Sequence, residues 1–202
     1  MTSRVRVARS ARFTNSWWPA FRQLALRGER SACCVVPEAR TDRVEELLGT
    51  LPEDARERVS IWVGDPRSID FGLSRDELAQ LNARVEVIHH CASITDPAAT
   101  HEEADGNVKA AIELLEFAES VPRLKRLVFW SSATVSGNRE GFVLEDELSD
   151  SMGFRNVVEE SLYKCELMLR ETADELPVVV LRPALLVGDS RTGETEDLTG
   201  LY

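Results

Sequence analysis

Glycine is missing from the first part of this 202-residue chain, in which the earliest glycine is Gly28. Loops that hold a phosphate group against the backbone need glycine, because a Cβ atom would block both the tight turn and the close approach. The segment before Gly28 therefore contains no glycine-rich phosphate loop. Tyrosine is scarce as well, with Tyr163 and Tyr202 as the only two, and the chain has three lysines.

Long apolar runs and an excess of positive charge are also absent. No stretch approaches the roughly 18 consecutive apolar residues of a membrane span. No continuous apolar segment follows the basic N-terminus, so we expect no secretory signal. The net charge of -11 repels phosphate backbones, which excludes typical nucleic-acid-binding proteins and argues weakly against docking on anionic lipid.

The cysteines and histidines show no spacing typical of a metal site. Three of the four cysteines lie in apolar runs, and no two of them form a CxxC pair. We therefore expect no metal, and we interpret the cysteines as reduced, buried thiols of a cytoplasmic protein. They are Cys33, Cys34, Cys91 and Cys165.

The sequence does contain short apolar runs that alternate with helical patterns. Ser74 stands three residues before Glu77, a capping box that predicts a short helix through Leu78 and Leu81. The predicted strands are residues 5–8 (a weak candidate), 31–36, 59–63, 85–89, 127–130 and 178–181. The other predicted helices are residues 17–26, 41–48, 107–118 and 157–170.

Strands that are apolar throughout and separated by helices favour a parallel sheet covered on both faces. Such connections are right-handed crossovers. The sequence therefore predicts an α/β fold with a doubly wound parallel sheet, Rossmann-like, forming a single domain over residues 1–202. Ligands of these sheets bind beyond the C-terminal ends of the strands.

Several strings follow the predicted strands at this edge. Together, in this order and spacing, they resemble the extended short-chain dehydrogenases/reductases, and within these the thioester reductase and fatty acyl-CoA reductase ("male sterility") branch. The resemblance runs from about Gln23 to Tyr202, and VGDSRTGE is its most branch-specific part. The strings are VGD at Val63–Asp65 with FGLS at Phe71–Ser74, VIHHCAS at Val87–Ser93, RLVFWSSATVSG at Arg126–Gly137 and LRPALLVGDSRTGE at Leu181–Glu194.

The resemblance implies NADP or NAD as cofactor and the reduction of an acyl thioester, on coenzyme A or an acyl carrier protein, to an aldehyde or alcohol. In that family a tyrosine protonates the developing alkoxide, and a lysine four residues later lowers the tyrosine pKa. The i, i+4 spacing lets both side chains point into one cleft. A serine or threonine hydrogen-bonds the carbonyl oxygen, and Ser132 matches it. Ser132 could also simply satisfy local backbone at the strand end.

The tyrosine and lysine positions of the family are occupied by Val158 and Leu162, neither of which can donate a proton. Tyr163 and Lys164 are the remaining candidates for a shifted pair. They are adjacent in sequence, and neighbours on a helix diverge by about 100°, so they cannot face one site together. The ordinary interpretation is a half-buried ring beside a solvated charge.

The family's phosphate loop GxxGxxG is missing as well. Counting back from Gly28 places its glycines at Ala11, Thr14 and Trp17. Trp17 would fill the space where the helix and the diphosphate should meet. The arginine that would contact the 2′-phosphate is replaced by Val36, and Arg40 is the nearest basic residue.

Three other features expected of a cofactor site are retained. Asp65 matches the residue that contacts adenine, Ala92 the small residue beside the ribose and nicotinamide, and Asn107 a helix asparagine near the active-site lysine. Each also has an ordinary structural interpretation. Asp65 could cap a turn, Ala92 could be a packing choice and Asn107 could be a helix N-cap.

The family continues beyond the VGDSRTGE string into a substrate-binding part, whereas this sequence stops at Tyr202. We therefore expect the C-terminal substrate part, with its lid, to be truncated or missing here, with two explanations left open: a truncated product, or a fragment of a longer chain. The favoured function is a non-catalytic pseudo-reductase, because the substitutions fall together on the phosphate loop, the 2′-phosphate contact and the tyrosine–lysine pair. The alternatives are an active NADPH-dependent thioester reductase that uses Ser132 and Tyr163, and a truncated non-functional remnant. The substrate, the partner and the oligomeric state stay open.

Overall fold

The computed structural model describes residues 4–7, 17–26 and 31–184, with the backbone alone for residues 4–7, 17–20 and 24. Its strands are β1 (Arg4–Val7), β2 (Ala32–Val36), β3 (Val59–Val63), β4 (Val87–His90), β5 (Arg126–Trp130) and β6 (Val178–Leu181). Its helices are α1 (Trp17–Leu26), α2 (Thr41–Gly49), α3 (Glu53–Arg56), α4 (Arg75–Arg84), α5 (His101–Ser120) and α6 (Val157–Glu171).

The six strands form one parallel sheet in the order β3-β2-β1-β4-β5-β6. The chain winds outwards from β1 to one edge, returns to β4 beside β1, and winds outwards again. This order reverses direction between β1 and β4, where Val7 pairs with His90. The predicted doubly wound Rossmann-like fold is confirmed. Sheets of this kind bind their ligands in the crevice where the strand order reverses.

Neighbouring residues of β2 contact opposite layers, because successive side chains of a strand point to opposite faces. Cys33 and Val35 pack in the cluster that includes residues of α4, α5 and α6. Cys34 and Val36 pack in the second cluster with residues of α1 and α2. A strand with both faces buried explains why the sequence shows a continuous apolar run there instead of an alternating one.

The capping box predicted at Ser74 is present. The Ser74 backbone N–H donates to Glu77 Oε2 at 2.9 Å, and the Glu77 N–H donates to Ser74 Oγ at 3.4 Å. The predicted start of α5 at Asn107 is wrong, since the helix begins at His101 behind a second capping box formed by Thr100 and Glu103. The first turns of α5 are polar (HEEADG), so apolar periodicity could not indicate them.

The four cysteines are free thiols, and Cys33, Cys34 and Cys165 are buried as expected. Burial raises the pKa of the Cys165 thiol to about 12, so this side chain behaves as an apolar group. Among the described helices, none is both long and apolar enough to cross a membrane.

Candidate functional site

The loop after β4 is held against α5 and α6 by the buried side chain of Asn107. Its Oδ1 accepts the backbone N–H of Ile94 at 2.6 Å, and its Nδ2 donates to the carbonyl oxygen of Ile94 at 3.0 Å. Nδ2 also donates to Ser161 Oγ at 2.9 Å. Asn107 lies in the second turn of α5 and is therefore not an N-cap. It positions the loop that carries Ala92, which is itself buried.

Ser132 follows β5 and caps the short 3-10 turn Ala133–Ser136. Its Oγ accepts the backbone N–H of Thr134 at 3.2 Å and lies 2.9 Å from Thr134 Oγ1. The side chain is half-buried. The hydroxyl thus has the local structural role open to any serine at a strand end, and it also lies at the edge of the sheet where ligands bind.

Val158 and Leu162 are on the buried face of α6, with 3% and 1% of their surfaces exposed. They belong to an apolar cluster with Ile94, Ala104 and Val135. This cluster joins α6 to the loop after β4, to α5 and to the turn after Ser132. An apolar side chain at either position therefore stabilises the packing between these elements and supplies no proton donor.

Tyr163 and Lys164 make separate contacts on α6. The ring of Tyr163 lies 5.1 Å from that of Phe154, centroid to centroid. Lys164 Nζ forms an ion pair with Glu160 Oε1 at 2.7 Å, and the Lys164 side chain is 53% exposed. The hydrogen bond that Lys164 donates to Glu160 raises the pKa of Lys164, so this lysine stays protonated at neutral pH.

Asp65, after β3, is held by a residue close to it in sequence. Arg67 Nε donates to Asp65 Oδ1 at 3.1 Å and Nη2 donates to Oδ2 at 2.8 Å. The backbone N–H of Arg67 also donates to Oδ1 at 3.0 Å. Arg67 Cδ lies 3.1 Å from the point that a Cβ atom on Gly106 would occupy, so the arginine packs closely on α5. Both carboxylate oxygens are engaged, and an adenine amino group would have to compete with the guanidinium.

Val36 and Arg40 lie at and just after the end of β2, where the resemblance places the contact to a 2′-phosphate. Val36 is fully buried in the apolar layer under α2. Arg40 is partly exposed and ends the 3-10 turn Glu38–Arg40.

Three buried polar side chains lie at or just after the ends of β4 and β5, and none of them is among the site residues predicted from the sequence. The exposed fraction is 1% for His90, 6% for Ser93 and 5% for Ser131. Neither ring nitrogen of His90 has a hydrogen-bond partner among the described residues, and the same holds for the hydroxyls of Ser93 and Ser131. The His90 ring stacks on Phe129 at 5.1 Å, and burial lowers its pKa to about 4. His90 is therefore neutral at physiological pH.

The described residues do not fit an NADPH molecule placed for hydride transfer with the expected proton donor. Asp65, which the resemblance places beside adenine, is paired with Arg67. Val158 and Leu162, which it places at the tyrosine and lysine positions, lie in an apolar cluster. Polar atoms that could contact a ligand remain at His90, Ser93 and Ser131. The predictions for Ala11, Thr14, the Trp17 side chain and the VGDSRTGE string lie outside the described residues.

The sheet and the sequence strings at its strand ends are those of a known protein family. Residues 32–202 match the model of the NAD-binding family described as male sterility protein. The chain belongs to that family. It is thus a thioester-reductase-like domain of the extended short-chain dehydrogenases/reductases. No curated protein sequence matches it.

Solved structures with the same fold include reductase domains. The terminal R domain from the myxalamid PKS-NRPS biosynthetic pathway shares 24% identity at a TM-score of 0.80, over 96% of this chain and 51% of that one. The R domain of a nonribosomal peptide synthetase from Mycobacterium tuberculosis shares 21% identity at a TM-score of 0.73, over 95% of this chain and 50% of that one. UDP-glucuronic acid 4-epimerase from Bacillus cereus, in complex with NAD, shares 19% identity at a TM-score of 0.65, over 92% of this chain and 57% of that one. This chain spans about half the length of each.

Proposed function

We propose that this chain is a pseudo-reductase, a thioester-reductase-like domain that has kept the fold and lost hydride transfer. The observation that carries the proposal is the burial of Val158 and Leu162 where the family resemblance expects the tyrosine and lysine. General acid catalysis needs a titratable group within hydrogen-bond reach of the substrate oxygen. Neither residue has one.

Two further observations support this proposal. Lys164 pairs with Glu160 on the exposed side of α6, and Tyr163 packs against Phe154, so the two do not form an i, i+4 pair. Asp65 is bonded through both oxygens to Arg67, which lowers its capacity to bind adenine. Without a glycine loop before Gly28, the backbone N–H groups that cradle a diphosphate would also lack their usual geometry.

The partner that this proposal implies is an acyl thioester, on coenzyme A or on an acyl carrier protein. One structural neighbour is a thiolation-reductase di-domain from an archaeal non-ribosomal peptide synthetase, which makes a carrier domain the natural class to test. A pseudo-reductase would bind such a partner without turning it over. The free thiols support placement in the cytoplasm.

An NADPH titration tests the proposal. We expect no saturable change of NADPH fluorescence up to about 100 μM, and no ligand-dependent rise of the melting temperature, because stabilisation by a ligand requires concentrations above its Kd. With an acyl-CoA present, NADPH oxidation should not exceed the rate without protein.

Three results would contradict the proposal in different ways. A low-micromolar Kd for NADPH would show that the cofactor site is intact. Acyl-CoA-dependent NADPH oxidation that falls by about 100-fold or more in Ser132→Ala would identify an active divergent reductase. A circular dichroism signal that lacks a cooperative melt would favour the non-functional remnant.

A further inference from the structure

A groove of about 600 Å³ lies beside the edge strand β3, two strands away from β1 and the reversal of strand order. Its apolar floor is formed by Leu48, Val59 and Ile61. Three exposed carboxylates line its sides, Glu45 on α2 and Glu53 and Glu57 at α3, together with Arg56. The volume is in the range of about 300–1,000 Å³ that is typical of ligand pockets.

Strand β3 offers unpaired backbone groups next to this groove. Arg58 O accepts from Ala32 N–H, and Gly64 N–H donates to Val36 O, so the even-numbered residues of β3 face β2. In a parallel ladder the alternate residues then direct their N–H and C=O groups away from the partner strand. These residues are Val59, Ile61 and Val63, and no described strand pairs with them.

In the part of the chain that the structure describes, the edge strand lacks the charged residues and prolines that often protect a sheet from pairing with another chain. β3 reads VSIWV, with no lysine, proline or charged residue, and Val63 is 53% exposed. Open edges of this composition are templates for strand addition. Strand addition here would bring alternate side chains of the added strand over the groove, because side chains on one face of a strand repeat every second residue.

The charge of the groove selects among the possible occupants. Neighbouring acids are already paired with arginine, Glu46 with Arg43 and Asp54 with Arg58. The side-chain carboxylates of Glu45, Glu53 and Glu57 form no hydrogen bond or ion pair with any other described residue, which leaves three carboxylates against Arg56. A second copy of this chain would bring the same carboxylates and a further net charge of -11, so self-pairing is disfavoured.

We propose that β3 and its groove bind an extended basic segment of a partner protein by strand addition. The segment places one apolar side chain on Leu48, Val59 and Ile61, and places lysine or arginine two positions to either side, against the carboxylates. Its backbone pairs with the free groups of the strand. This interaction does not depend on the reductase chemistry, and its test does not involve NADPH.

The probe is a synthetic, capped peptide of about seven residues with a central isoleucine, lysine two positions to either side, and threonine elsewhere. Binding is measured by isothermal titration calorimetry with the whole protein. We expect the lysine peptide to bind at least about tenfold more tightly than the same peptide with glutamate in place of lysine. A peptide of the lysine composition with methylated backbone nitrogens should also bind at least about tenfold more weakly.

Variants of the protein separate the two parts of the surface. The double change Glu45→Lys and Glu53→Lys should weaken the lysine peptide by about tenfold or more. The matched control, Glu171→Lys with Glu175→Lys, alters net charge equally at exposed positions near the end of α6 and should change Kd by less than about twofold at 0.15 M salt. Val63→Pro removes a backbone N–H that points away from β2 and makes no hydrogen bond within the sheet. It should therefore weaken peptide binding without changing the melting temperature.

Three results would overturn the proposal. The first is equal binding of the lysine and glutamate peptides. The second is an effect of the control charge reversal as large as that at Glu45 and Glu53. The third is a failure of the lysine peptide to bind, with dimerisation in sedimentation that Val63→Pro abolishes, which would assign the edge to a second copy. If Val63→Pro does not fold, the charge-reversal pair and the methylated peptide still decide the outcome.

Discussion

The side chains at single positions of α6 determine what chemistry the sheet edge could support. Val158 and Leu162 contact Ile94, Ala104 and Val135, so their loss would leave a cavity between elements rather than an empty surface site. Ser132 keeps its hydroxyl, and that hydroxyl already accepts a hydrogen bond from Thr134. Val158 and Leu162 therefore stabilise the packing of α6. We expect that replacing them with tyrosine and lysine would not by itself restore catalysis.

The double change Val158→Tyr and Leu162→Lys tests this point. We expect it to lower the free energy of unfolding by about 3–5 kcal/mol, because it buries an unpaired ammonium group and overpacks a filled cluster. It should produce no NADPH oxidation with acyl-CoA. Urea denaturation and an absorbance assay measure the two effects.

Leu167→Lys is the matched control for that variant, since Leu167 lies on the same helix and is 41% exposed. Its effect on stability should stay within about 0.5 kcal/mol. The proposal would be contradicted by a double variant that is as stable as the unchanged protein and oxidises NADPH. Such a variant would show that the site accommodates the tyrosine and lysine side chains and binds the cofactor.

His90 gives the protein a dependence of stability on pH. Burial lowers its pKa from the ordinary value of 6.5 to about 4. Between these two values the unfolded chain binds a proton that the folded one does not, so stability falls as the pH falls through this window. The full difference corresponds to about 3–4 kcal/mol, at about 1.4 kcal/mol per pKa unit. His90→Leu should flatten the dependence of stability on pH, measured by urea denaturation, between pH 6.5 and about 5, because paired carboxylates lose their contribution below about pH 5.

The control for this prediction is His101→Leu, because His101 is exposed in the first turn of α5. The change in the slope of stability against pH should be larger in His90→Leu than in this control, because only His90 is buried. Identical slopes in His90→Leu and the unchanged protein would show that the histidine is hydrated or already protonated in the folded state.

Elements are joined by buried polar contacts that cross long distances in sequence. Asn107 of α5 holds the loop after β4 and bonds Ser161 of α6. Arg182, directly after β6, donates to both oxygens of Glu166, at 3.0 Å from Nε and 2.6 Å from Nη2. Its Nη1 donates to the carbonyl oxygens of Glu145 and Glu147 in the loop before α6. One guanidinium thus ties together a strand end, a helix and a long loop.

Arg182→Met should cost about 3–5 kcal/mol, because it leaves the buried carboxylate of Glu166 unpaired. Adding Glu166→Gln should recover part of that loss, since it removes the uncompensated charge. Urea denaturation of the two variants and of Glu166→Gln alone completes a double-mutant cycle.

Arg84→Met serves as the control, because Arg84 is exposed near the end of α4. It should change stability by less than about 0.5 kcal/mol. A cost for Arg182→Met no larger than this would mean that water replaces the guanidinium at Glu166.

The whole molecule is organised around one continuous six-stranded sheet. Trp62 lies on the edge strand β3, and Trp130 ends β5 on the other side of the sheet centre. The prediction that residues 1–202 form a single domain can be tested through these two tryptophans, because a single cooperative unit unfolds at both sites together.

Trp62→Phe and Trp130→Phe each remove one of these signals, and the difference from the unchanged protein reports local unfolding. We expect both signals to share one urea midpoint with far-ultraviolet circular dichroism. Midpoints that differ beyond experimental error between the two sides would divide the molecule into separate units at the β1–β4 reversal.

Local patterns in the sequence determined most of the fold. Runs such as VSIWV and VVVL indicated strands because both faces of the sheet are covered, and the Ser74–Glu77 box indicated a helix start because its hydrogen bonds are local. The strings that follow the strands also indicated the family, which the match over residues 32–202 confirms. The start of α5 was missed because its polar first turns carry no apolar period, although Thr100 and Glu103 have the same box spacing.

The sequence by itself determined the strands, the doubly wound topology and the apolar residues at Val158 and Leu162, since each depends on neighbours within a few positions or on the order of elements. Only the tertiary structure decided what those residues touch. It paired the Arg67 guanidinium with Asp65, buried the ring nitrogens of His90 with no hydrogen-bond partner among the described residues, paired Arg182 with Glu166 and placed the edge of β3 beside its acidic groove. The burial of His90 and the Arg182–Glu166 pair depend on segments that are distant in sequence, and Arg67, although close to Asp65 in sequence, packs against Gly106 of α5. No local sequence pattern indicates these contacts.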